Sequence, residues 1–126
     1  MSPDNQASAK RFLLISTTPP YGSSASKDQL DIALTCSVFE QPVTLLFLGD
    51  GVLQLLPNQQ GNLLRQKNVN AIQSSLALYD IESIYVDIDA LRYHDLEASG
   101  LHIPCLPVDS HAIQRLIAEH DIVLTI

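Results

Sequence analysis

The segment Val43-Thr-Leu-Leu-Phe-Leu48, closed by Gly49-Asp50-Gly51, decides the fold class. A strand with one wet face would alternate apolar and polar residues, whereas this run is apolar almost throughout. It therefore reads as a strand covered on both faces within a parallel sheet. Upstream, Arg11-Phe-Leu-Leu-Ile-Ser-Thr17 has the same character and is ended by Thr18-Pro-Pro-Tyr-Gly-Ser23. Downstream, Ile84-Tyr-Val-Asp-Ile88 and Asp121-Ile-Val-Leu-Thr-Ile126 repeat it, while the prolines of Ile103-Pro-Cys-Leu-Pro-Val108 confine that strand to an edge or an irregular position.

Helical periodicity fills the gaps. Ser26 and Gln29, three apart, predict a capping box that opens a helix over Lys27 to Glu40. A short turn is expected over Val52 to Leu56, and a helix over Leu63 to Leu78 with Leu64, Ala71 and Leu78 among its buried positions. A weak helix follows over Ala90 to Leu96, then one capped by Ser110 and ending near Glu119. Strands alternating with helices at this spacing imply βαβ units with right-handed crossovers. The expected architecture is an α/β fold, a three-layer α/β/α sandwich with about five mostly parallel strands.

With 126 residues the chain has room for one domain, placed at 11–126 behind a polar tail over 1–10. Fourteen acidic residues against seven Lys and Arg give a charge of −7, which repels a phosphate backbone and argues against direct nucleic-acid binding. The N-terminus lacks a basic and then apolar signal pattern, and no apolar run reaches the ~18 residues of a membrane span, so a cytoplasmic protein without a membrane partner is expected. Two cysteines are too few for a disulfide framework, and four scattered histidines show no metal-ligand spacing; no metal is expected.

The first helix carries two apolar stripes. Leu30, Ala33, Leu34 and Val38 form one, and Ile32, Cys36 and Phe39 form another, which is left to meet a further element or a partner chain. The hydroxyl-rich loop from Ser16 to Ser26 could cradle a phosphate but lacks the glycine spacing for close backbone approach, so no cofactor is expected. Cys36 lies deep in a helix among apolar residues, which favours an inert thiol. Cys105, with His102 three residues earlier, is the better placed of the two for reactivity, against the commoner reading of an apolar strand position. Asp50 between glycines reads as a turn cap, with a general base as the alternative. Asp87 and Asp89 would share a strand face if the strand ran that far, where paired carboxylates could hold a proton or a cation; on a loop such residues are usually solvated or capping, which is the favoured reading.

Several segments taken in register carry a resemblance. Pro20-Tyr21-Gly22, the stretch from Leu46 to Gln59 with its Asp50-Gly51-Val52-x-Gln54-Leu55 motif, Leu78-Tyr-Asp-Ile-Glu82, and Tyr85-Val-Asp-Ile-Asp-Ala-Leu91 resemble the TusC/DsrF subunits of the DsrE sulfur-relay superfamily. The resemblance runs from about Phe12 to Ile126. It implies a flavodoxin-like sandwich that assembles with TusB-like and TusD-like chains into a heterohexamer, passing persulfide sulfur by way of a TusE-like acceptor toward 2-thiolation of the tRNA wobble uridine. Related assemblies act in dissimilatory sulfur oxidation. The family's sulfur-accepting cysteine belongs to the TusD-like chain, and the matching position here falls at about Asp87, with no cysteine nearby. A carboxylate cannot carry sulfane sulfur, so the resemblance implies a subunit without catalytic residues of its own. Direct sulfur acceptance by Cys105 or Cys36 stands as the enzymatic alternative.

Overall fold

A computed structural model describes residues 9–20, 25–57 and 70–126. Five strands, β1 (Phe12–Ser16), β2 (Val43–Phe47), β3 (Ser83–Asp87), β4 (Leu106–Val108) and β5 (Ile122–Thr125), form one sheet in the order β4-β3-β2-β1-β5. Every pairing is parallel. The helices are α1 (Ala25–Val38), α2 (described over 70–75, tightening to a 3-10 turn at Leu76–Tyr79), α3 (Ile88–Tyr93) and α4 (Ser110–Glu119). A 3-10 segment, Gly49–Leu55, follows β2.

The strand order fixes the layers. From β1 to β4 each crossover steps to the next neighbour in one direction, so right-handed connections put α1, α2 and α3 on the same face; the return from β4 past β1 to β5 puts α4 on the other. Two cores match this. Leu14, Leu45, Phe47, Ile84 and Val86 face α1, the 3-10 segment and α3, while Leu13, Ile15, Leu46 and Val108 face Leu116 of α4. Alternate residues of one strand thus serve different cores, which is why the strands read as continuous apolar runs. His120 closes the α4 side. Its Nδ1 lies 2.6 Å from the Leu116 carbonyl, which can only accept, so Nδ1 carries the proton and Nε2 takes the Thr44 hydroxyl at 2.9 Å.

Local chemistry moved several expected boundaries. The first helix starts at Ala25, so Ser26 falls inside its first turn, and Gln29 is buried with its amide toward the Leu14 carbonyl at 3.4 Å instead of closing a capping box. Asp109, not Ser110, caps α4 by accepting from Ala112 N. In α2, Ala71 and Leu78 are exposed and Leu64 lies outside the described residues. The inward positions are Asn70, Gln73 and Leu76, because the amides find carbonyl partners there and the 3-10 tightening shifts the phase. The two stripes of α1 merge, since Leu30 and Ala33 are buried and both Ile32 and Leu34 flank them against the same core. Val38 is exposed because the helix ends there, beyond the start of β2.

Three helical segments end in the same way, each on an acidic residue in the left-handed region. Glu40 (φ 60°), Asp80 (φ 61°) and Asp95 (φ 56°) are followed by 6→1 bonds, Gln41 N to Cys36 O at 2.9 Å, Ile81 N to Leu76 O at 3.0 Å and Leu96 N to Leu91 O at 2.8 Å. Glycine is the usual occupant of that position. A side chain there costs about 1 kcal/mol, less for Asp than for Glu.

Candidate functional site

In an open parallel sheet, the carboxyl ends of the strands are where chemistry gathers. Here that end is roofed by the 3-10 segment after β2. Gly51 sits so close to β1 that a Cβ would lie 2.1 Å from the Ser16 carbonyl oxygen, and Leu48 N donates to the same carbonyl at 2.9 Å. Only glycine fits. Val52 and Leu55 are fully buried beneath the turn, and Gln54, also fully buried, donates from Nε2 to the Ser16 hydroxyl and to the Thr18 carbonyl. The Asp-Gly-Val-x-Gln-Leu motif is therefore architectural: it clamps the turn after β2 onto the chain leaving β1.

The clamp continues as a chain of polar groups. Gln73 Nε2 donates to the Gln54 carbonyl at 2.8 Å, Asn70 Nδ2 donates to Gln73 Oε1 at 3.0 Å, and the Asn70 carbonyl meets His102 Nε2 at 2.9 Å. A carbonyl only accepts, so His102 Nε2 is protonated; Ser74 Oγ lies 2.9 Å from the same nitrogen. The backbone of His102 also donates to the Leu55 carbonyl at 2.7 Å. Sequence reading missed this network, although the i, i+3 spacing of Asn70 and Gln73 was its one visible sign.

Asp87 and Asp89 do not pair, and capping, the commoner role for such carboxylates, is the one Asp87 takes. β3 ends at Asp87, whose carboxylate caps α3 by accepting from Asp89 N at 3.0 Å, while Asp89 faces Arg92 at 3.7 Å on the exposed side of the helix. Asp50 is exposed and pairs with His94, with Nε2 3.1 Å from Oδ1, tying the 3-10 segment to α3. That contact was not anticipated, since the two residues lie 44 apart in sequence. Pro20 is buried at the end of the β1 loop, and Tyr21 and Gly22 lie outside the described residues, as do Ser23 and Ser24 of the hydroxyl-rich loop.

Both thiols are half-buried and free. Burial pushes each above the ordinary thiol range, which disfavours the thiolate. Cys105 lines an open groove with His102, Ser99 and Pro104, whereas Cys36 sits on α1 away from the carboxyl end of the sheet. Among the described residues no cluster of His, Cys, Asp and Glu could hold a metal ion. No helix among them is long and apolar enough to cross a membrane.

Known proteins extend this picture. The chain is 32% identical over 118 residues to a protein TusC homolog of Pseudomonas aeruginosa, spanning 94% of this chain and 99% of the relative. It is 31% identical over 116 residues to protein TusC of Escherichia fergusonii and to that of Escherichia coli K12, covering 91% of this chain and 98% of each. Among solved structures, the ychN protein of Escherichia coli superposes with a TM-score of 0.77 at 16% identity, over 93% of this chain and 99% of that one, a likeness of fold. The profile of the DsrE/DsrF-like family matches residues 10–126, and the chain belongs to that family.

Proposed function

We propose that this chain is the non-catalytic, TusC-type subunit of a cytoplasmic sulfur relay, a heterohexamer with TusB-like and TusD-like chains that passes persulfide sulfur for 2-thiolation of the tRNA wobble uridine. The observation that carries the reading is the end of β3. Sulfane sulfur moves when an acceptor thiolate attacks the terminal sulfur of a donor persulfide and the donor leaves as a thiolate, so the acceptor position must bear a thiol. At the position that the family resemblance matches to that thiol, about Asp87, this chain bears a carboxylate that caps α3. The −7 charge supports leaving the RNA to a downstream partner.

Co-expression with the TusB-like and TusD-like chains of the same organism tests the reading. One complex containing all three, with ³⁵S from a cysteine desulfurase retained on the TusD-like chain and absent from this one, is expected. A stable monomer that ignores both chains defeats it. The groove beside Cys105 favours a second reading, direct sulfur acceptance. Label on the wild-type chain that disappears in Cys105→Ser, with Cys36→Ser unchanged, would establish that reading in place of the first. Genes for a dissimilatory sulfite reductase beside this one would assign the subunit to sulfur oxidation instead of tRNA thiolation.

A further inference from the structure

Opposite the motif end of the sheet, two chain turns end alike. Val38-Phe39-Glu40 closes α1 and Leu78-Tyr79-Asp80 closes α2, each an apolar pair followed by an acid held at positive φ. The turns are joined, because Ser37 Oγ donates to the Tyr79 carbonyl at 2.6 Å. Their apolar side chains face outward: Val38 is 65% exposed, Phe39 71%, Leu78 82% and Tyr79 44%. Glu40 and Asp80 line the groove between the turns, ≈ 280 Å³, with Ser37, Gln41 and Tyr79. Lys10 lies at the margin, its backbone N–H donating to Gln41 Oε1.

We infer that this acid-flanked apolar quartet docks a different chain, one that presents an apolar ridge bordered by Lys or Arg. Four large exposed side chains on two hydrogen-bonded turns put apolar surface at one end of the sheet, of the kind that marks an interface. The acids select the occupant. A second copy would set Glu40 and Asp80 against their own equivalents, a like-charge contact that opposes self-docking, whereas a basic border pairs with both. Both acids also hold a backbone conformation that glycine adopts more easily, so glycine would improve the fold and remove the charge together. The assignment rests on membership of a multi-chain relay and names the surface that membership would use. It shifts the expected contact from the flank of α1, where Ile32 is taken up by the core, to the helix end.

The test uses the full chain co-expressed with its TusB-like and TusD-like neighbours. Hydrogen exchange at 38–41 and 77–81 should slow on assembly. Leu78→Ser and Phe39→Ser should each weaken assembly ~10–100-fold. Glu40→Gly with Asp80→Gly should raise the melting temperature of the free chain, yet weaken assembly ~3–10-fold at low salt and flatten its salt dependence. Asp95→Gly is the control, relieving the same backbone strain at the opposite end of the sheet, where neighbouring His94 meets Asp50, with assembly unchanged. A complex that forms with the patch unprotected, or indifferent to Leu78→Ser and the double glycine variant, overturns the inference and leaves the subunit role standing. Self-association abolished by Leu78→Ser overturns it in favour of a second copy. No complex at all removes the subunit role and this surface with it.

Discussion

Gly51→Ala should be among the most damaging single-methyl changes this chain can carry. The new Cβ would lie 2.1 Å from the Ser16 carbonyl oxygen, about 1.3 Å short of the 3.4 Å at which ordinary contact begins, and 2.8 Å from the Ser16 carbonyl carbon. Neither neighbour is a flexible side chain, so the turn must lift off β1 by about that distance. Lifting stretches the bond from Leu48 N to the Ser16 carbonyl (2.9 Å) and the two bonds from Gln54 Nε2 to Ser16 and Thr18.

Overpacking of this kind costs roughly 1–3 kcal/mol. Stranding a buried amide and its acceptors adds roughly another 1–3. A loss of about 2–6 kcal/mol is a large part of the ~5–15 that holds a domain of this size. Urea unfolding followed by circular dichroism should show the midpoint falling by about 2 M with an unchanged slope, for a slope of about 1.5–2 kcal/mol/M. Gly49→Ala supplies the comparison. It has the same chemistry at φ +52° with nothing within 4 Å, and should cost only about 1 kcal/mol. If Gly51→Ala costs no more than Gly49→Ala, the close approach to β1 is not what the motif glycine serves.

Gln54→Leu should destabilise by about 2–4 kcal/mol in the same unfolding assay, since the Thr18 carbonyl and the Ser16 hydroxyl lose their buried donor. His120→Ala, which releases Thr44 of β2 from the end of α4, should cost about 1–2 kcal/mol and raise hydrogen exchange in α4 ahead of α1. Because burial raises both thiols, maleimide labelling of the folded chain at neutral pH should lag behind labelling in denaturant. The sign of the linked stability follows. The unfolded chain gives up its thiol protons first, so stability is complete below the ordinary thiol range and falls as pH rises through it. The Cys36→Ser, Cys105→Ser double variant should flatten that fall, and an unchanged alkaline slope would assign it to other groups.

The sheet was legible because both of its faces are buried. Leu13 and Leu14 point to opposite cores and are both fully covered, which writes an unbroken apolar run into the sequence. Helix phase was harder to read, because polarity is only a proxy for exposure. Asn70 and Gln73 are polar and buried, Leu78 and Val38 are apolar and exposed, and each inverts the proxy for a local reason: a carbonyl to reach, or a helix that ends. The Asp50–His94 contact was hidden by distance along the chain, since a pairing across two crossovers leaves no periodic trace.

The motif at the carboxyl end is recognisable in sequence, and the structure gives its residues structural roles. Asp50, Gly51 and Gln54 stand where catalytic residues gather in open parallel sheets, yet each is spent on structure: a tie to α3, a close approach to β1, a clamp on the β1 loop. The same holds at Asp87, where helix capping consumes the carboxylate. Of the large apolar side chains the fold leaves exposed, four lie at the opposite end, on the turns that close α1 and α2. Rigidity at one end then serves the other. The clamp reaches α2 through Gln73, and α2 is held to α1 through Ser37 and Tyr79, so a path of hydrogen bonds and helix joins the motif to the two turns.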